Sequence, residues 1–249
     1  IETIPDAQGI RALLDVPTDT SDEDVVNIAL HQRRQKSGND FLPLYQHRIC
    51  AISCALRYGD HFSIWTLGEE GSSEAEIIQR FYDGIEKYTP QIISWNGSGF
   101  DLPVLHYRGL VYGVNASRYW DLGEDDKEFK WNNYISRYHM RHLDLMEVMA
   151  MYNGRANAPL DDLAKLCGFP GKLGMDGSKV WDAYKNGKLS EIRDYCETDV
   201  ANTHLVYLRF QLMRGQLTQT AYEREIALVR ETLTAYEGEH WDVFLAAWA

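Results

Sequence analysis

Cysteine is scarce in this 249-residue chain. Cys50, Cys54, Cys167 and Cys196 are the four present, and no two form a C-x-x-C pair. That usage argues for a soluble protein of a reducing, intracellular compartment, and the cytoplasm is the expected location. Cys50 and Cys54 fall in an apolar, strand-like run, where buried free thiols are common. Long apolar runs are missing as well: none approaches the roughly 18 residues of a membrane span. The residues given do not open with a basic segment followed by an apolar one, so no secretory signal is visible. Positive charge is in short supply, with 25 Lys and Arg against 37 Asp and Glu, a net charge of -12. A passive nucleic-acid binder normally carries a basic surface, so the balance argues against that class. It leaves metal-dependent nucleases open, because they concentrate carboxylates at the site and the ions bring the positive charge.

What is present is ordinary globular composition, 45% hydrophobic and 25% charged, enough for one large domain with or without a small appendage. Residues 1–4 read as the end of a strand, broken by Pro5 and Gly9. Ser21 and an acidic first turn open a helix that ends near Gly38. Residues 48–58 form a nearly continuous apolar strand, Gly59-Asp60 a turn, and 61–67 the hairpin partner. An amphipathic helix spans 72–88, a short buried strand 91–95 and a helix 101–113. Residues 114–137 have little period and read as an insertion. A strand resumes over 137–145, where Asp144 is placed to cap the next helix. From there the pattern is helical, interrupted at 168–177. There are no repeats and no low-complexity segment. The order predicts an α/β layout with a mixed sheet, a main domain over 1–213 and a helical appendage over 214–249.

Three stretches carry chemistry. In the helix around 193–210, Tyr195 and Asp199 lie four residues apart and share a face; of 15 tyrosines, only Tyr195 has an Asp at that spacing. In "SWNGSGFD" a buried strand ends, a glycine-rich bend comes next, and Phe100-Asp101 opens a helix, the kind of place where ligands collect. Asp101 also reads as a helix cap. In "IETIP", Glu2 has no obvious structural partner.

Together these stretches resemble the three exonuclease motifs of the DEDD superfamily in its Tyr-containing branch. The likeness is to stand-alone 3′–5′ exonucleases related to the proofreading domain of family B DNA polymerases. It covers roughly Ile1 to Arg209 and includes "LAKLCGFPGKLGMDGSKVW". The first motif is Asp-x-Glu, matched at Glu2. The second is Asn, a spacer and Phe-Asp, matched at Asn96, Phe100 and Asp101. The third is Tyr-x-x-x-Asp, matched at Tyr195 and Asp199. The first motif assigns an Asp to the position before Ile1, and a polypeptide starting at Ile1 is expected to lose activity for want of it.

The resemblance implies a ribonuclease-H-like α/β fold, with a mixed central sheet flanked by helices. It implies hydrolysis of phosphodiester bonds at single-stranded 3′ ends, DNA rather than RNA by the polymerase relationship. An RNA-trimming exonuclease and a non-catalytic nucleic-acid-binding module are the alternatives. Glu2, Asp101 and Asp199 are the implied ligands of two Mg²⁺ or Mn²⁺ ions, hard cations that favour carboxylate oxygen and can clamp attacking and leaving oxygens. Tyr195 is the implied orienter of the attacking water, and Asn96 and Phe100 the contacts to the terminal nucleotide, Phe100 by stacking. Other residues read more simply. His142 and Asp144 are a strand residue and a helix cap before they are metal ligands. Arg33 to Lys36 is a solvated helix end. The insertion's aromatics (Tyr119, Trp120, Phe129, Trp131, Tyr134) pack as readily as they stack on bases. Lys172 can reach a phosphate but lacks the ending of a P-loop.

Overall fold

The computed structural model of the chain describes residues 1–248. Strand β1 (Glu2–Pro5) pairs antiparallel with β2 (His47–Ala51), with an irregularity in register between Glu2 and Thr3. The sequence places Glu2 in a strand's tail; it stands instead at the start of β1. Gly9 is not a break either. It lies inside helix α1 (Ala7–Leu14), whose cap is Asp6, accepting from the Gly9 N–H at 3.2 Å. A Cβ at Gly9 would stand 2.3 Å from Asp6 Oδ2, so the glycine clears room for the cap. Helix α2 (Asp22–Ser37) has the expected Ser21 cap and stops at a left-handed Gly38.

The apolar run 48–58 divides at Ile52. Its first half is β2; its second is β3 (Ser53–Tyr58), which forms a hairpin with β4 (His61–Thr66) around Gly59-Asp60. The Ile52 carbonyl accepts from Leu67 N–H at 2.8 Å and carries that pairing up to the break. Helix α3 (Glu74–Tyr88) comes next, capped by Ser73, then β5 (Ile92–Ser94) and helix α4 (Asp101–Tyr112). The single mixed central sheet that the sequence predicts is not seen among the described residues. There are three two-stranded ladders, two antiparallel and one parallel, the last joining β5 to β6 (His142–Asp144). The break at Ile52 and the three-residue length of β5 and β6 limit how far the pairing extends.

The insertion holds a short helix, α5 (Ser117–Trp120), and a 3-10 turn (Lys127–Lys130), and its aromatics divide. Tyr119, Phe129 and Tyr134 are buried, Tyr119 stacked on Tyr134 at 5.2 Å, while Trp120 and Trp131 are exposed. Arg141 lies 4.2 Å from the Phe129 ring centre, and Asn132 accepts from the N–H groups of Met140 and Arg141. These ties hold 137–141 in turns, so the expected strand shrinks to β6. Asp144 caps α6 (Leu145–Met149) as its position predicts. Helices α7 (Leu160–Leu166), α8 (Val180–Lys185), α9 (Leu189–Met213), α10 (Gln219–Thr234) and α11 (Glu239–Ala247) complete the fold. Helix α9 packs on β3, β4, β5, α7 and α10. Trp241, Phe244, Val229 and Leu233 from the last two helices share one core with Phe62, Ile64 and Leu205.

Candidate active site

The turn that delivers Asp101 is anchored from below. Parallel pairing sets Ser94 of β5 beside Asp144 of β6. Asp144 is buried, and its two oxygens accept from the N–H groups of Asn96 and Ser98, each at 2.9 Å. Asn96 takes a left-handed φ of 63°, a conformation that Asn tolerates better than most residues. Its carbonyl accepts from Gly99 and Phe100. A Cβ at Gly99 would stand 2.4 Å from Asn96 Oδ1, which explains the glycine. Phe100 then serves as the N-cap of α4 without a side-chain bond, and Asp101 is the first helical residue. Its carboxylate does not cap its own helix. It accepts from the Ile1 amine at 2.8 Å. The Phe100 ring packs edge-on to His47 at 5.4 Å and against Phe41 at 5.9 Å, which fixes it in place.

Helix α9 supplies Tyr195 and Asp199 one turn apart, and a third side chain bridges them. Lys172 Nζ donates to the Tyr195 hydroxyl at 2.6 Å and lies 3.4 Å from Asp199 Oδ2. The loop after α7 is clamped to bring Lys172 there. Buried Asn202, also on α9, accepts from Gly171 N–H and donates to Gly171 C=O, at 3.1 and 2.9 Å. The Lys172 N–H donates to Asp161 Oδ1 at 2.7 Å. Gly171 has φ +70°, and a Cβ there would stand 2.5 Å from that same Asp161 oxygen. Glu197 points away, accepting from Thr66 Oγ1 at 2.7 Å, with His240 Nε2 at 3.3 Å.

The electrostatics tie the two halves together. Burial pushes the Glu2 carboxyl up to about 8; the charges of Asp199 and Asp101 push the same way, against the Ile1 amine and Lys172. Burial also raises Asp199, opposed by Lys172. Tyr195 is raised well above the ordinary phenol range by burial, then by the charges of Asp199 and Glu2. Glu2 thus feels both Asp101 and Asp199, and Tyr195 feels Asp199 and Glu2, although these residues come from β1, α4 and α9. Among the described residues no group of three or more His, Cys, Asp or Glu side chains is drawn together as a metal cage. The donor set still suits a hard divalent cation. It offers carboxylate oxygen alone, and Asp199 Oδ1 is buried without a hydrogen-bond partner.

Lys172 is the member that sequence reasoning raises, as a side chain able to reach a phosphate, and then leaves out of the site. It stands 23 residues before Tyr195, and no local spacing marks it. The one visible signal is the pair of glycines around it in "GKLG".

No curated protein matches the chain. A family described as predicted 3'-5' exonucleases related to the exonuclease domain of PolB matches residues 39–248. That stretch contains Asn96, Phe100, Asp101, Lys172, Tyr195 and Asp199, and leaves Glu2 outside. The chain belongs to this family of predicted 3'-5' exonucleases.

Proposed function

We propose that the chain hydrolyses single-stranded nucleic acid from its 3′ end, DNA rather than RNA, with two Mg²⁺ or Mn²⁺ ions, on a ribonuclease-H-like scaffold. One observation carries the reading: Glu2 feels the charges of both Asp101 and Asp199, and with Asp199 it acts on a protonated Tyr195. Glu2, Asp101 and Asp199 are the residues that would hold the ions. Bound there, divalent cations supply the positive charge that attacking and leaving oxygens need.

The rest falls to the side chains. Its raised pKa keeps Tyr195 protonated at neutral pH, so it is no general base. Its oxygen accepts from Lys172 and its proton is directed at Asp199, from where it can turn to a water or phosphate oxygen. That bond positions the nucleophile for in-line attack. Lys172, held at its backbone by Asp161 and next to Asn202's clamp on Gly171, adds a fixed positive charge where the phosphate gathers negative charge. Asn96 and Phe100, beside Asp101, are set to meet the terminal sugar and base.

The test uses a polypeptide with Asp directly before Ile1, the position that the first motif assigns. It is given matched 5′-labelled single-stranded DNA, duplex DNA and RNA with Mg²⁺ or Mn²⁺. Stepwise shortening from the 3′ end of single-stranded DNA is expected, lost on adding chelator. Preferred shortening of RNA would replace the DNA assignment, and binding without shortening of any strand would defeat the enzyme reading.

A further inference from the structure

Beside the turn that carries Asn96 to Asp101 lies a pocket of about 310 Å³. Ser98 of that turn forms part of its wall, with His142, Glu147, Arg137, Tyr138, Tyr152 and Arg214 among its other residues. Its volume is at the lower end of the range for small-ligand sites.

The negative groups of the wall are already engaged. Asp144 is bonded to the turn, and Glu147 has Ser98 Oγ at 3.3 Å. The positive groups are engaged less fully: Arg214 Nε donates to Gln211 Oε1. Neither Arg137 nor Arg214 has a carboxylate partner among the described residues, although the chain carries twelve more negative than positive charges. Each arginine lies instead over an aromatic ring: Arg137 is 4.6 Å from the Tyr152 ring centre, Arg214 5.4 Å from that of Phe210. Tyr138 is 87% exposed. Met151 and Tyr152 have successive φ values of 53° and 56°, a left-handed pair that is strained for bulky residues and sets Tyr152 against the pocket. Guanidinium groups without a carboxylate, beside exposed rings, suit a phosphodiester with its base, since the arginines meet the phosphate and the rings take the base by stacking.

We propose that this pocket is a subsite for an upstream nucleotide of a single strand whose 3′ end lies at the Glu2, Asp101 and Asp199 carboxylates. It rests on the exonuclease reading for its direction along the strand. Ser98 joins the two places, four residues of turn carrying the strand from pocket wall to Asp101. Arg137 and Arg214 hold a phosphate, and Tyr138 and Tyr152 hold a base.

The experiment is a length series of oligothymidylates, from mononucleotide to dodecamer, bound to the full chain in Ca²⁺ and followed by fluorescence anisotropy. Affinity should rise in a step once the strand is long enough to reach the pocket. Arg137→Gln with Arg214→Gln should remove the step, about tenfold in affinity, and lower the salt slope for the dodecamer by about 1.4. Tyr138→Ala, an exposed side chain with little effect on folding, should remove part of it. Circular dichroism of each variant should match the parent. Parent-like binding at every length, or a loss equal at every length, would overturn the subsite, as would a parent that binds no strand. A parent that binds with the step yet shortens no strand would sink the exonuclease reading and leave the pocket standing. Shortening by a parent whose step survives the substitutions would do the reverse.

Discussion

At the scale of single residues, the helical spacing of Tyr195 and Asp199 is readable because it is local: four residues on a helix always share a face. Asp101 is readable as a residue at a helix start, but its escape from capping is not, since that comes from Phe100 taking the cap position. Lys172 is readable as a phosphate-reaching side chain but its partners Tyr195 and Asp199 are not, because its place is set by a loop clamped to Asn202, 31 residues from Gly171. The roles separate by substitution. Asp199→Ala is expected to abolish turnover and weaken Mn²⁺ binding measured by calorimetry. Tyr195→Phe keeps the carboxylates and loses only the hydroxyl, so kcat should fall on the order of 10² with Mn²⁺ affinity retained. An unchanged rate for Tyr195→Phe would remove the hydroxyl from the chemistry.

Among elements, the helices are the most legible, because caps and periodicity are written locally: Ser21 and Asp144 cap where their type and position predict. The sheet is the least legible. Mostly apolar residues run through 48–58 without a mark at Ile52, and the choice of partner on each side of it is made by other strands. A buried ionic knot, also invisible in sequence, locks several of these elements together. Arg108 of α4 makes two hydrogen bonds to Glu74 of α3, at 2.8 and 2.7 Å, and reaches Asp6 at the foot of α1. Glu74 accepts as well from Tyr112 and from Ile49 N–H in β2. The knot sets where β1 and α4 stand, hence where Glu2 and Asp101 stand. Arg108→Met leaves buried Glu74 with only the more exposed Arg48, 3.8 Å away, as a cation and should cost about 3 kcal/mol by urea unfolding. Adding Glu74→Gln should return part of that, since a neutral amide is cheaper to bury and still accepts from Ile49. A single-substitution cost within experimental error would show the knot to be idle.

For the whole molecule, the last two helices build the same core as β4 and α9, and acid should act on that core through histidine. His204 of α9 is partly buried and stacks on Phe62 at 4.5 Å, and its buried Nε2 has no hydrogen-bond partner. Burial, reinforced by Arg57 and opposed by Glu225, lowers its pKa from an ordinary 6.5 to about 4. His106, packed on Tyr119 and Trp120, is also lowered to about 4, by burial and then by His142. The folded state therefore prefers both rings neutral. Above pH 6.5 neither form of the chain takes the proton, and the neutral rings cost the fold nothing. Between pH 6.5 and 4 the unfolded chain binds protons that the folded chain refuses, so stability drops as pH falls; below 4 the folded ring titrates too and this loss levels off. His204 alone should account for about 2–3 kcal/mol of the loss between pH 7.5 and 4.5. His204→Leu keeps an apolar filler beside Phe62 and removes the titrating group. Urea unfolding of parent and variant at the two pH values gives the difference directly, with the carboxylates common to both. The variant should lose about 2–3 kcal/mol less than the parent over that interval. Equal losses would mean that water reaches His204 and that this core opens under acid before the histidine is forced to charge inside it.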